Sequence, residues 1–163
     1  MTNISKVLEI ENCKKEDLIK ALYEPEFWKA ITPVQTIEAK FIAPNVLYNK
    51  VYDQVSLIKV PIELESELVL SDKGEEAGKG RLIEINIRNN NEIKNMEARL
   101  RIKELTSSKS KVGVFIDELS FSNDFLSLLG GAADMILQTK ITEMMRNLQK
   151  LCKEKDLRTF FAS

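Results

Sequence analysis

The sequence contains no histidine, so it lacks the side chain that titrates nearest neutral pH and most often ligates metals. This absence excludes Ser-His-Asp triads, Cys-His dyads and histidine-based zinc or iron centres. The order of residues shows no other grouping of a nucleophile with a base. We therefore predict no catalytic residue, no metal site and no cofactor, and we expect binding rather than chemistry.

Cysteines, an excess of one charge and long apolar runs are also missing. Cys13 and Cys152 are the two cysteines among 163 residues, whereas secreted disulfide scaffolds carry more of them in a shorter chain. The 24 Lys and Arg residues balance 25 Asp and Glu residues, which disfavours nucleic-acid binding. No apolar run approaches the ~20 residues of a membrane span, and the N-terminus lacks a signal peptide's apolar core. We expect a reduced, cytoplasmic protein without stable membrane insertion.

The N-terminal part of the chain predicts one strand and two short helices. Residues 4–10 are rich in β-branched and apolar side chains, which favour a strand. Asn12 precedes a run with helical spacing, so we predict that its side chain caps the first helix. Pro25 suits the first turn of a second short helix, and Pro33 ends that helix.

From residue 34 to about residue 121, apolar residues recur at every second position, which is typical of strands. Turn residues divide this stretch into six strands, with one of the turns predicted at 71–74. The predicted strands are 34–42, 46–58, 62–70 and three more near 81–88, 96–103 and 111–121. Most are apolar on one side and polar on the other, as in an antiparallel sheet with one solvated face.

The sixth strand differs, because its residues are apolar on both sides. Val112, Val114 and Ile116 alternate with a second set that includes Phe115, Leu119 and Phe121. We therefore predict that this strand is central or covered on both faces.

One long amphipathic helix is predicted after the strands. It begins at Asn123, a plausible cap, and ends near Lys155. Gly130 and Gly131 interrupt it, and glycine inside a helix costs about 1 kcal/mol relative to alanine. A kink or a close approach to a strand would explain these two glycines equally well.

This order of elements predicts an α+β helix-grip fold in a single domain, 1–163. A curved antiparallel sheet of about seven strands, with two short helices after the first strand, must share one core with the long C-terminal helix.

Three segments carry a resemblance to a known family. Leu22, Pro25, Phe27 and Trp28 lie in the segment 22–28, which resembles the early helix pair of the START-like (SRPBCC) superfamily. That superfamily includes the birch-pollen-allergen proteins, the polyketide cyclases and aromatases, and a family of accessory proteins of carbon monoxide dehydrogenase. The segments 47–51 and 129–133 look most like the carbon monoxide dehydrogenase accessory proteins.

The resemblance covers nearly the whole chain. It implies a cavity between the sheet and the last helix that holds a hydrophobic small molecule such as a lipid, quinone, isoprenoid or aromatic compound. The expected ligand-binding residues are Phe27, Trp28, Asn49, Val51, Asp53, Leu64, Ser66, Ile85, Leu100, Leu129, Ala133 and Ile136. A filled core without room for a guest is the alternative, since pockets and cores are both mostly apolar.

The predicted strand 46–58 leaves its inward face undecided. If Asn49 and Asp53 point inward, they are polar groups in an apolar space, where they would orient a ligand or move a proton. If the other face points inward, Tyr48 and Tyr52 offer hydroxyl groups instead. All four residues could also lie at a solvated rim.

Two further functions remain open at this stage. The chain could be a cyclase- or aromatase-like enzyme that uses Asp53 or Tyr52 as its acid or base. It could also be an accessory protein that docks on a larger complex as a protein partner, and Phe160 and Phe161 would then form an exposed apolar patch.

Two rows of like charges complete the pattern. The acidic row is Glu63, Glu65 and Glu67, and the basic row is Arg99, Arg101 and Lys103. We predict a solvated face on which such residues form cross-strand pairs.

Overall fold

Seven antiparallel strands form one sheet in a computed structural model of the protein, which describes residues 3–55, 60–90, 92–122 and 132–161. Within these ranges the strands lie in the order β1-β7-β6-β5-β4-β3-β2. Their bounds are β1 Ile4–Glu11, β2 Thr36–Ala43, β3 Val46–Val55, β4 Val60–Glu76, β5 Gly80–Arg88, β6 Ile93–Thr106 and β7 Lys109–Phe121. The first strand pairs with the last, so the chain returns to its starting edge.

Three α-helices accompany the sheet in the described part of the chain. Helices α1 (Lys15–Ala21) and α2 (Pro25–Ile31) follow β1, α3 (Ala133–Glu154) follows β7, and a 3₁₀ turn spans Leu157–Phe160. The predicted α+β helix-grip arrangement is confirmed. The predicted cap Asn123, together with Leu129, Gly130 and Gly131, lies outside the described residues. None of the described helices is long and apolar enough to cross a membrane.

The core lies between the concave face of the sheet and the helices. Alternate residues of β5 and β6 are buried there, including Ile83, Leu100 and Ile102, and α3 adds Met145 and Leu148 from one side of the helix. Helix α3 contacts β1 and α2, so the core continues from the sheet to the N-terminal helices.

The corner between β1 and α1 differs from the prediction at Asn12. That residue does not cap α1, whose N-cap is Lys14 without a side-chain hydrogen bond. Asn12 instead has a φ of 56°, a conformation that asparagine tolerates better than most residues. Its Nδ2 donates to the Cys152 carbonyl oxygen at 2.7 Å. The long-range bond to α3 thus replaces the predicted local cap.

The two cysteines meet at the same corner. Cys13 and Cys152 are free thiols with no exposed surface. Their mutual hydrogen bond, together with burial, raises the pKa of the Cys13 thiol. Ser110, which is also fully buried, donates its hydroxyl to the Cys13 carbonyl oxygen at 2.7 Å. Both ends of the chain are therefore packed into one core.

The turn predicted at 71–74 is wrong, because β4 continues to Glu76 and the chain reverses at residues 77–79. The register shifts between Asp72 and Gly74, which forms an irregularity inside the hairpin. Asp72 accepts a hydrogen bond from the Gly74 amide at 2.9 Å and two from Arg81, and the Arg81 guanidinium lowers the pKa of Asp72. Residues with turn chemistry are thus satisfied within the ladder.

A second irregularity corrects the prediction for β7. Ala98 pairs with Ile116 but Glu97 pairs with Glu118, so Asp117 is an extra residue and the alternation reverses after it. Leu119 and Phe121 therefore join the buried face that they were predicted to oppose. Phe115 remains on the outer face, with the Arg99 guanidinium 5.4 Å from its ring centroid.

The C-terminal aromatic pair does not form an exposed patch. Phe160 and Phe161 are half-buried and pack against the core. The Phe160 ring meets Phe27 edge to face, with centroids 6.0 Å apart. The Lys20 ammonium lies 5.8 Å from the Phe161 ring centroid.

Two glycines of the β4–β5 hairpin allow a matched stability test. Gly78 and Gly80 both have positive φ, but a Cβ at Gly78 would meet nothing within 4 Å, whereas one at Gly80 would lie 2.8 Å from Lys103 Cα. We expect Gly78→Ala to lower the free energy of unfolding by about 1 kcal/mol, and Gly80→Ala by roughly 1–3 kcal/mol more. Urea unfolding of both variants measures the difference, and equal losses would contradict the close strand packing at Gly80.

Candidate functional site

An apolar cavity lies between the concave face of the sheet and α3. It consists of two adjoining compartments, each with a volume of about 250 Å³. The inner compartment lies over the middle of the sheet, and the outer compartment lies among α3, the loop after α2 and the end of β3. Together they reach the roughly 300–1,000 Å³ typical of ligand sites. Both compartments are lined by Val51, Leu64, Ile93, Ile141 and Met144.

Strand β3 turns its Asn49, Val51 and Asp53 side toward this cavity. Asp53 is 8% exposed, whereas its neighbour Tyr52 is 40% exposed. Tyr48 lies on the same outer side as Tyr52 and donates its hydroxyl to Glu65 at 2.6 Å, which raises the pKa of Tyr48 to about 12. Successive strand residues point to opposite faces, so the hypothesis that Tyr52 is an acid or base in the cavity is wrong.

The inner compartment has one polar spot on an otherwise apolar wall. Asn49 and Ser66 are directly opposite on β3 and β4. The Ser66 hydroxyl donates to Asn49 Oδ1 at 3.3 Å, and Asn49 Nδ2 donates to the Ser66 carbonyl oxygen at 3.4 Å. Both bonds are long, so a hydrogen-bonding group of a guest could compete for them.

Trp28 contributes apolar surface to the inner compartment. Its Nε1 donates to the Leu22 carbonyl oxygen at 2.7 Å, so the indole's one polar group is satisfied away from the cavity.

The outer compartment contains an ion pair between the sheet and the helix. The Lys140 ammonium lies 2.5 Å from Asp53 Oδ2 and donates to the Pro33 carbonyl oxygen at 2.6 Å. Oδ2 is fully buried and has no hydrogen-bond partner in the described ranges, so Lys140 provides the charge that compensates it. A polar group of a guest could hydrogen-bond to either member of the pair.

Most of the expected ligand-binding residues lie on the cavity wall. Those placed there are Trp28, Asn49, Val51, Asp53, Leu64, Ser66, Ile85, Leu100, Ala133 and Ile136. Phe27 is not among them: it has no exposed surface, and its ring packs against Trp28 at a centroid distance of 6.2 Å. Leu129 lies outside the described residues. Their roles in binding stay predictions.

Sequence reasoning missed Lys140 and several large side chains of the wall. Lys140 lies four residues after Ile136 and four before Met144, so all three share one side of α3. A lysine within the apolar stripe was the available signal for a charged partner in the cavity. Phe121 was missed because of the reversed alternation in β7.

A metal centre would need a cluster of ligating side chains. Within the described residues, no group of three or more His, Cys, Asp or Glu side chains could hold a metal ion.

Sequence comparisons identify no relative, since no family model and no curated protein matches the chain. Solved structures do match. A START superfamily protein from Mycobacterium smegmatis has a TM-score of 0.63 at 10% identity, with 93% of this chain and 97% of that chain covered. The aromatase/cyclase Zhui from Streptomyces sp. R1128 has a TM-score of 0.62 at 10% identity, with 99% and 96% covered.

A third match is an enzyme with its ligands. Norcoclaurine synthase from Thalictrum flavum, in complex with dopamine and hydroxybenzaldehyde, has a TM-score of 0.63 at 12% identity, with 94% of this chain and 87% of that chain covered. At such identities these likenesses establish the START-like fold, as the sequence resemblance implied, and carry no information about activity.

The Asp53–Lys140 pair predicts a measurable coupling between the sheet and α3. We expect Asp53→Asn and Lys140→Met each to lower the free energy of unfolding by about 1–3 kcal/mol, since each leaves a partly buried group unpaired. The double variant should lose less than the sum, with a coupling energy of about 1–2 kcal/mol. Urea unfolding followed by circular dichroism measures all three variants.

The exposed pair of Lys50 and Glu63 provides the control, because its side chains are 43% and 59% exposed. Its coupling energy should be below about 0.5 kcal/mol. An Asp53–Lys140 coupling no larger than that would contradict a structural role for the buried pair.

Proposed function

We propose that the protein binds a hydrophobic small molecule, without catalysis, in the cavity between the sheet and α3. The observation that carries this proposal is the void itself. Protein interiors are packed so closely that few gaps exceed the size of a water molecule. Two adjoining compartments of about 250 Å³ each are therefore not a feature of an ordinary filled core.

The lining defines the class of guest. Burial of apolar surface contributes about 25 cal/mol per Å², so an apolar body supplies most of the affinity. The Asn49–Ser66 pair can fix one polar group in the inner compartment, and the Asp53–Lys140 pair can fix another in the outer one. Lipids, quinones, isoprenoids and hydroxylated aromatic compounds have this character, and the norcoclaurine synthase complex contains aromatic ligands in the same fold.

The proposal includes the setting in which binding takes place. We propose that residues 1–163 act as one domain in the cytoplasm. Balanced charge and two free, buried thiols support this setting and disfavour a role with nucleic acids.

Native mass spectrometry of the protein purified from its own host tests occupancy directly. We expect a co-purifying apolar molecule that is released on denaturation.

A cavity-filling variant then tests the location of binding. Ala98 lines the inner compartment, so Ala98→Phe should fill it, while Ala30→Phe adds the same ring at an exposed position of α2. The probe is N-phenyl-1-naphthylamine, an uncharged dye that accepts energy from Trp28, the protein's one tryptophan. We expect Ala98→Phe to weaken dye binding at least ~10-fold and Ala30→Phe to leave it within ~2-fold.

Circular dichroism shows whether each variant is folded, and Ser66→Leu serves as a second filling variant if Ala98→Phe is not. Failure of the unmodified protein to bind the dye, together with the absence of any co-purifying molecule, would refute the proposal. Unchanged affinity in a folded filling variant would place the dye elsewhere and refute this location.

An enzyme like the aromatases and cyclases is a second candidate, favoured by one observation. Asp53 places a carboxylate against the outer compartment, where it could accept a proton from a guest held over the sheet. Conversion of the co-purified molecule by the protein, monitored by mass spectrometry, is the test. We expect Asp53→Asn to abolish such conversion while dye affinity stays within ~3-fold. No conversion by the unmodified protein eliminates this candidate.

A further inference from the structure

A second concave site lies on the outer face of the sheet, opposite the cavity. It is a groove of about 380 Å³ on strands β1, β7 and β6 and the β4–β5 turn. Five cationic side chains line it, namely Lys79, Arg99, Arg101, Lys103 and Lys111. No acidic side chain is among the described residues that line it. We call this site the basic groove.

The floor of the basic groove is apolar and well defined. The Phe115 ring lies over Gly113, where an added Cβ would come within 2.7 Å of the ring's Cε2 atom. Glycine at this position therefore lets the aromatic ring lie close to the strand. Val7 completes the floor and is 48% exposed, so the site offers apolar surface inside a ring of positive charge.

The charges of the basic groove are only partly compensated. Arg99 pairs with Asp117 at 2.8 Å and Arg101 with Glu76 at 3.1 Å. Among the described residues, Lys79, Lys103 and Lys111 have no acidic group within the 4.0 Å of an ion pair. Three ammonium groups around one groove thus remain uncompensated in a chain whose net charge is −1.

Two features of the basic groove are unfavourable without a ligand. Lys103 and Lys111 are direct cross-strand partners, and like charges placed opposite each other destabilise a sheet. The Nη1 atom of Arg101 is buried and has no hydrogen-bond partner in the described part of the chain, although the Glu76 carboxylate compensates its charge. A bound anion would relieve the repulsion between the lysines, and the Arg101 guanidinium would lie beside it.

The remainder of the outer face indicates the size of that anion. Glu63, Glu65 and Glu67 lie on β4 of the same sheet, on the far side of β5 from the groove. A membrane or a nucleic acid would extend over these carboxylates and be repelled. A compact anion would contact the groove alone.

We propose that the basic groove binds a small molecule that carries several phosphate charges. Its phosphates contact Lys79, Lys103 and Lys111, since phosphate oxygens are strong acceptors for ammonium groups. A flat or apolar part of the same molecule rests on Phe115. This site is separate from the cavity and does not depend on what the cavity binds.

Isothermal titration calorimetry with two probes tests the proposal, using tripolyphosphate for the charges alone and ADP for charges joined to a flat ring system. We expect both to bind at about 20 mM salt and more weakly at about 150 mM, where charges are screened over shorter distances. Amide chemical shifts of the ¹⁵N-labelled protein should change around Gly113 and leave the cavity strands β3 and β4 unaffected.

Paired lysine substitutions separate the groove from general charge. Lys103→Gln with Lys111→Gln should weaken tripolyphosphate binding at least ~10-fold, and the apo form of this variant should unfold at a higher urea concentration because the opposed charges are gone. Lys94→Gln with Lys150→Gln removes the same charge from two exposed lysines elsewhere and should change the affinity less than ~2-fold. Phe115→Leu should weaken ADP binding and leave tripolyphosphate binding unchanged.

The results that would overturn the proposal are equally specific. They are the absence of binding at low salt, equal weakening in both lysine double variants, or chemical shift changes spread over the whole surface.

Discussion

The placement of α3 by polar contacts near both ends of the helix determines whether the protein has a cavity. Lys140 and Asn147 hold the helix to Asp53 and to the carbonyl oxygens of Pro33 and Ile31, and Asn12 holds its C-terminal end through Cys152. These bonds are directional, whereas apolar contact is not. The helix therefore lies where the polar partners set it, and the sheet curves away beneath its apolar side.

The alternation of strand residues gives the two faces of the sheet different chemistry. On β6, Leu100 points into the cavity while Arg101 points into the basic groove, and on β7 Val114 and Gly113 divide in the same way. One pair of strands thus supports both proposed sites, although their side chains never meet. Substitutions can consequently alter either site without touching the other.

Prediction from sequence succeeded where local pattern determines structure and failed where tertiary partners do. One-sided alternation identified the inward residues of β5 and β6, and family resemblance supplied the expectation of a cavity. The irregularities at Gly74 and Asp117 depend on register with neighbouring strands, which periodicity cannot reveal. Asn12 has the chemistry of a helix cap, but its partner is 140 residues away. Lys140 looked like a solvated lysine until Asp53 was found to face it.

A void of this size is a physical problem for a folded protein. Unfilled cavity volume in a core costs about 24 cal/mol per Å³, so one dry compartment of 250 Å³ would remove several kcal/mol from a typical stability of about 5–15 kcal/mol. The polar contacts of α3 prevent simple collapse, and Met144 and Met145 are flexible enough to repack around guests of different shape. A guest that fills the space restores the lost contacts and therefore stabilises the fold in proportion to its affinity and concentration. A guest in this cavity would thus act as part of the core.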